Sequence, residues 1–379
     1  MSASSEHSHG RGIVFRLGAV LLGLVAGLVL AEAALRIFNL HPGLIVSKRL
    51  LIPTRAGDPV SYHCYSSNPH GEFSPPPDLS TGRWKLMTYA KRELPLSEIE
   101  KTPWCVEYRL ARTGMRGQEP SVQPAAGRLR IAVIGDSFVF GEGVPEDRTL
   151  VAHMAQQLGD RFDLLNGGYP GAGLEKYVHN AAFFTREFHC TRLMVVFLAN
   201  DIELTPELAS RQNHINDLIN FRDLHLQAEQ NRIGVLGHSR LVQALDTHWI
   251  MANVTQHTIQ WYLDSYDPRF NAEHLGEFTA DLSRLAATPG CQIVLVLYPL
   301  LEQLETGYPL APIHQRVAAM AREAGLPVLD LAPVFAGTRT RELWVHDCDH
   351  HPNGQTHRRA AEAIIAWLRS DVPGFLEGE

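Results

Sequence analysis

The run Leu129-Arg130-Ile131-Ala132-Val133-Ile134-Gly135-Asp136-Ser137-Phe138 decides the fold. Apart from Arg130 the residues before the glycine are apolar, which predicts a strand buried on both faces, the kind found in parallel sheets. Gly-Asp-Ser at its end puts a hydroxyl at the carboxyl edge of that sheet, where open α/β sheets collect their chemistry. Working outward, short apolar runs predict strands over 130–134, 163–165, 193–198, 293–298 and 328–331. Between them, apolar residues at helical spacing predict helices over 150–158, 174–188, 279–287, 313–324 and 355–369. Alternating strands and helices predict an α/β fold: a three-layer parallel sheet with helices on both faces. The interval 203–277 holds no strand of this sheet. It reads as a helical insert lying over the carboxyl edge of the sheet, because it follows a strand's carboxyl end.

A serine becomes a useful nucleophile only beside a base. The chain offers one far downstream, in Asp347-Cys348-Asp349-His350-His351-Pro352-Asn353. Between the two segments lie Asn166-Gly167-Gly168-Tyr169-Pro170-Gly171 and Ala199-Asn200-Asp201, each directly after another apolar run. The histidine-rich stretch also has a metal reading through His346, Asp347, Asp349, His350 and His351. Side chains adjacent in sequence rarely converge on one ion, and no helical His-Glu-x-x-His spacing is present. No metal and no cofactor is expected.

Taken together and in this order, the four segments resemble the SGNH (GDSL-type) hydrolase family, from about Thr113 to Arg369. Thr113-Gly114-Met115-Arg116-Gly117, ahead of the first strand, resembles the lead-in of membrane-anchored bacterial members. The resemblance implies that Ser137 is the nucleophile. It implies an oxyanion hole built from the Ser137 amide, Gly171 and Asn200, and a base and its orienting aspartate in the last segment. Two positions depart from the family pattern. Ala199 stands where a glycine is usual, and the last segment holds two registers. Asp347 with His350 has the literal Asp-x-x-His spacing. Asp349 with His351 places Pro-Asn after the histidine, as the family prefers, and is the favoured assignment. Glycine-lined turns let a substrate carbonyl approach backbone donors closely, and those donors stabilise the developing oxyanion.

Composition limits the remaining possibilities. The chain has 379 residues, 45 % of them hydrophobic and 20 % charged, as in folded proteins. A net charge of −7 with no basic stripe gives nucleic-acid binding no support. The stretch from Leu17 to Ala31 is uncharged and apolar, and 13–35 is long enough to span a bilayer if Arg16 and Glu32 lie near its two interfaces. A cleaved signal peptide ending near Ala31-Glu32-Ala33 is the competing reading. The expected organisation is a cytoplasmic tail over 1–12, a transmembrane anchor or signal peptide over 13–38 and a loop-rich stalk with a few short strands over 39–126. The catalytic domain is expected over 127–372, with its helical insert over 203–277. The catalytic part is then periplasmic or extracellular, although basic residues flanking the segment are more numerous after it than before it. Of the five cysteines, Cys64 and Cys105 could pair in the stalk. Cys190 and Cys291 each precede a core strand and are expected to form a disulfide, leaving Cys348 over.

The function expected is a serine ester hydrolase acting on acyl esters in the cell envelope. The same machinery serves an O-acyltransferase moving an acetyl group to or from an envelope glycan. A non-catalytic glycan-binding protein is a third possibility, opposed by the presence of Ser137, Asn200, Asp349 and His351.

Overall fold

The structure is a computed structural model. It describes residues 6–38, 48–53, 60–65, 72, 74, 84–88, 104–213, 215, 239–346 and 349–377. The chain divides into two compact units, Met1–Ile45 with Ile215–His257, and Val46–His214 with Thr258–Glu379.

In the first unit, helix α1 (Glu6–Ile37) contains the apolar span Phe15–Ile37, 23 residues with a mean hydropathy of 2.2. A helix rises about 1.5 Å per residue, so this span is long and apolar enough to cross a bilayer. Near its end, Glu32 accepts hydrogen bonds from the Arg240 and Leu241 amides at 3.2 and 2.9 Å and from Ser239 Oγ at 2.9 Å. The carboxylate thereby satisfies donors that a helix start leaves open.

The second unit begins with four strands, β1 (Lys48–Pro53), β2 (Val60–Tyr65), β3 (Trp84–Thr88) and β4 (Trp104–Arg109). They form an antiparallel sheet in the order β3-β1-β2-β4. The few short strands expected in the stalk region thus pair into one sheet. Cys64 and Cys105 face each other across β2 and β4 and are disulfide-bonded.

β5 (Leu129–Gly135) runs into a short helix, α2 (Ser137–Phe140), and then α3 (Leu150–Leu158). β6 (Phe162–Gly168), α4 (Leu174–Phe188) and β7 (Arg192–Phe197) follow. Beyond them come α5 (Arg240–Ser265), α6 (Pro268–Ala286), β8 (Gln292–Leu297), α7 (Ala311–Glu323) and β9 (Val328–Asp330). The chain closes with the hairpin β10 (Trp344–His346) and β11 (Asp349–Pro352) and helix α8 (Gly354–Asp371). Strands β5 to β9 pair in parallel in the order β6-β5-β7-β8-β9.

Side chains alternate across this sheet, as the two-residue period of a strand requires. Ala132, Ile134, Leu193, Val195, Phe197, Ile293, Leu295 and Leu297 join one buried cluster with residues of α4, α6 and α7. Ile131, Val133, Met194, Val196, Val294 and Val296 join the other with residues of α3 and α8. The three-layer α/β architecture is thus present, with strand positions as expected.

Two expectations change. Helix α6 starts at Pro268, not near 279, because Leu275, Phe278, Leu282 and Leu285 form one stripe that buries against the sheet. The last part of the supposed insert is therefore a core-packing helix. Of the rest of that insert, residues 214 and 216–238 lie outside the described residues. The second change concerns sulfur: Cys190 and Cys291 are free thiols. Cys190 is buried and burial pushes its thiol up to about 12; Cys291 is partly buried and its thiol is pushed up to about 11. Cys348 lies outside the described residues.

Candidate active site

The strand order reverses around β5: the chain continues to β6 on one side and to β7 on the other. This switch point opens a crevice at the carboxyl ends of the strands. Ser137 leaves β5 there as the first residue of α2, capped by Asp136, whose Oδ1 accepts from the Phe138 amide at 2.8 Å. The end of β6 passes directly beneath α2. A Cβ on Gly168 would overlap Phe140 N and lie 2.6 Å from Phe140 Cα, so only glycine fits this approach.

His351 comes from the opposite side, on β11, just before α8. Asn353 caps that helix by accepting from the Thr356 amide at 2.9 Å, and its Nδ2 donates to the Glu342 and Trp344 carbonyls at 2.8 and 3.2 Å. The Pro-Asn after the histidine thus locks β11 between its hairpin partner and the last helix.

The histidine bridges two partners. Its Nε2 lies 2.8 Å from Ser137 Oγ and its Nδ1 lies 2.5 Å from Asp349 Oδ1. With Nδ1–H directed at the carboxylate, Nε2 is left as the acceptor for the serine hydroxyl. Asp349 is buried and Ser137 half-buried. Asp349 is held from behind as well: the Tyr65 hydroxyl donates to its Oδ2 at 2.6 Å. Tyr65 is fully buried on β2 and stacks on His346. Burial, followed by the nearby Asp349 charge, holds its hydroxyl well above the usual tyrosine range, so it remains a donor.

Adjacent residues of a strand point to opposite faces. His350 accordingly turns away from Ser137; its Nδ1 meets Glu302 Oε1 at 2.6 Å and its ring stacks on Trp344 at 3.7 Å. Asp347 lies outside the described residues. Of the five residues in the metal reading, His346 is buried under Tyr65 and His350 faces Glu302, so these two lie apart.

Asn200 lies in the turn that follows β7, exposed, with Nδ2 3.4 Å from Asp136 Oδ2. Ser137 Oγ lies 3.3 Å from the same oxygen, so Asp136 sits between the nucleophile candidate and the amide. Burial pushes the Asp136 carboxyl up from its ordinary value. Asp201 anchors the turn beneath Asn200: its Oδ2 accepts from the Leu198 amide at 2.7 Å and from the Tyr177 hydroxyl at 2.9 Å. Gly171 is exposed after Pro170, with φ +76°.

Several residues around the site carried no sequence signal. Tyr65 is one. Glu142 is another, with Oε2 3.7 Å from His351 Nε2 and Oε1 3.8 Å from His63 Nδ1. Tyr108 accepts from the Gly143 amide at 2.5 Å and lies 2.6 Å from His63 Nδ1. Glu142, Asp349 and His351 offer ligand atoms within 4.8 Å of one another, as do Glu203, His274 and Glu277 on the rim of a separate cavity of about 360 Å³. These are the residue sets among the described ones that could hold an ion.

No family model and no curated protein matches this chain. Solved structures do. The carbohydrate acetylesterase Est24 from Sinorhizobium meliloti is 12 % identical, with 64 % of this chain and 99 % of that one covered at a TM-score of 0.36. An inhibitor-bound aryl esterase from M. smegmatis is 14 % identical, with 64 % and 99 % covered at 0.32. A member of the lipolytic G-D-S-L family from Veillonella parvula is 13 % identical, with 64 % and 99 % covered at 0.34.

Proposed function

We propose that this chain is an ester hydrolase of the SGNH type. Ser137 is its nucleophile, His351 its base and Asp349 the group that orients the base. The observation that carries this reading is the continuous bridge from Ser137 Oγ to His351 Nε2 at 2.8 Å and from His351 Nδ1 to Asp349 Oδ1 at 2.5 Å. A serine oxygen attacks an ester carbonyl carbon as Nε2 takes its proton, and the buried carboxylate stabilises the imidazolium that forms. The negative charge that develops on the carbonyl oxygen is met by the Ser137 and Gly171 amides and by Asn200 Nδ2. The imidazolium returns its proton to the departing alkoxide, which leaves as an alcohol and yields an acyl-serine. Water then attacks that acyl group, again giving a proton to His351, and the serine is regenerated.

The substrate is an acyl ester, and the cell envelope is its proposed setting because α1 is long and apolar enough to cross a membrane. His351 accepts a proton from water or from a sugar hydroxyl alike, so O-acyl transfer to a glycan uses the same steps. The test is labelling of the full chain, in detergent, with a fluorophosphonate, followed by peptide mapping. Ser137 should carry the label, and Ser137→Ala should abolish both labelling and hydrolysis of p-nitrophenyl acetate. Retained hydrolysis in the Ser137→Ala variant would overturn the reading. Adding sugar acceptors to the same assay separates transfer from hydrolysis by the acylated product.

A further inference from the structure

The turn after α2 is built around one carboxylate. Gly141 and Gly143 both adopt positive φ, 79° and 85°, on either side of Glu142, and the Glu142 amide donates to the Ser137 carbonyl at 3.0 Å. A Cβ on Gly143 would lie 2.8 Å from Tyr65 Oη, so the turn can sit against that tyrosine only without a side chain there. Arg116 wires the turn from below. Its guanidinium donates to the carbonyls of Phe140 at 2.9 Å, of Gly141, and of Val144 at 2.5 Å. Arg116 belongs to the Thr113–Gly117 lead-in, which thereby acquires a physical role. The antiparallel sheet supplies the other side: Tyr108 holds the Gly143 amide, and His63 stands 3.8 Å from Glu142 Oε1.

The result is a carboxylate that is only 14 % exposed and points at the side of His351 that handles the proton, 3.7 Å from Nε2. We infer that Glu142 is a positioning residue of the active centre, which stabilises the protonated form of His351 from the Nε2 side while Asp349 does so from the Nδ1 side. This inference rests on the hydrolase reading above. An opposite charge at this separation favours a charged imidazole. The antiparallel sheet is then part of the reaction machinery: Tyr65 braces one carboxylate and Tyr108 and His63 flank the other.

The groups facing His351 are Asp349 on its own strand, Ser137 and Asp136 at the end of β5, Glu142 on the turn and His357 on α8. Glu142 itself faces His63, Tyr65, Tyr108 and the fixed cation of Arg116. All of these except Glu142 are unchanged in Glu142→Gln, so that variant isolates one charge.

The experiment is the pH profile of kcat/KM for p-nitrophenyl acetate, using the full chain in detergent micelles. The acid limb reports the ionisation of the free enzyme's base. Glu142→Gln should move that limb down by about 1 pH unit, the low end for a neighbouring opposite charge because Arg116 opposes it. The alkaline plateau should fall several-fold as the imidazolium loses support. An unmoved limb, whether or not turnover falls, would overturn the inference. Should the glutamine variant not fold, Glu142→Asp decides: it keeps the charge but draws it back by one methylene, and the limb should move down by a smaller amount. An unmoved limb there has the same consequence. Hydrolysis surviving in Ser137→Ala would instead sink the hydrolase reading, and the two failures are told apart by which variant shows them.

Discussion

His357 sits on α8 with its ring fully buried, and among the described residues neither ring nitrogen has a hydrogen-bond partner. Burial is the main cause that drives its proton affinity down, to about 3, with His153 and Arg116 adding repulsion. In the unfolded chain a histidine titrates near 6.5. Between about pH 3 and 6.5 the unfolded state therefore holds a proton that the folded state refuses, so stability rises with pH across that window and levels off above it. Each unit inside the window is worth about 1.4 kcal/mol, and going from pH 7 to pH 5 should cost the fold about 2 kcal/mol through this one side chain. His357→Leu removes the titration at similar volume. Urea unfolding of the full chain in detergent, followed by tryptophan fluorescence at both pH values, gives the four free energies required. Other titrating groups contribute equally to wild type and variant and cancel in the double difference. The wild type should lose about 2 kcal/mol more than the variant on acidification. Equal losses would refute the reasoning, because they would mean that the folded state protonates His357 as readily as the unfolded one.

On the proposed chemistry, His351→Ala should abolish ester hydrolysis and Asp349→Asn should lower kcat about 1000-fold or more, while His350→Ala keeps most of it; kcat values of purified variants with matched thermal midpoints check the ranking. Tyr65→Phe removes a charge-assisted hydrogen bond to Asp349 and should lower kcat about tenfold with little change in KM. Gly168→Ala drives a methyl group into the backbone of α2 and should destabilise the fold by about 1–3 kcal/mol, read as a lower urea midpoint. Cys190 and Cys291, with thiols held near 12 and 11, should resist maleimide labelling at pH 8 in the folded chain and react fully after unfolding.

The parts of this protein that could be read from its residues are those governed by local periodicity. The five parallel strands and the helices α3 and α4 follow from apolar spacing, because burial of a strand or a helix face is a property of neighbouring residues. The segment beginning at Gly135 was legible for the same reason, since a small turn and a hydroxyl follow directly from a buried strand. The start of α6 is not legible in the residues because its first turns are mostly polar, and only the buried stripe, seen against the sheet, shows that the helix continues back to Pro268.

What remained open depended on which distant side chains meet. The residues fit two histidine registers, and the alternation along β11 sets where the two rings point: Asp349 and His351 share one face, and His350 takes the other. Tyr65 reaches Asp349 across 284 positions of chain, and no spacing rule connects them. The pairing of Cys64 with Cys105 depends on β2 lying beside β4. By itself, then, the amino-acid order determined the parallel sheet and the serine at its edge, because both are written in runs of adjacent residues. Only the tertiary structure decided which histidine faces that serine and which tyrosine and glutamate surround them, because those contacts exist only once separate elements are packed together.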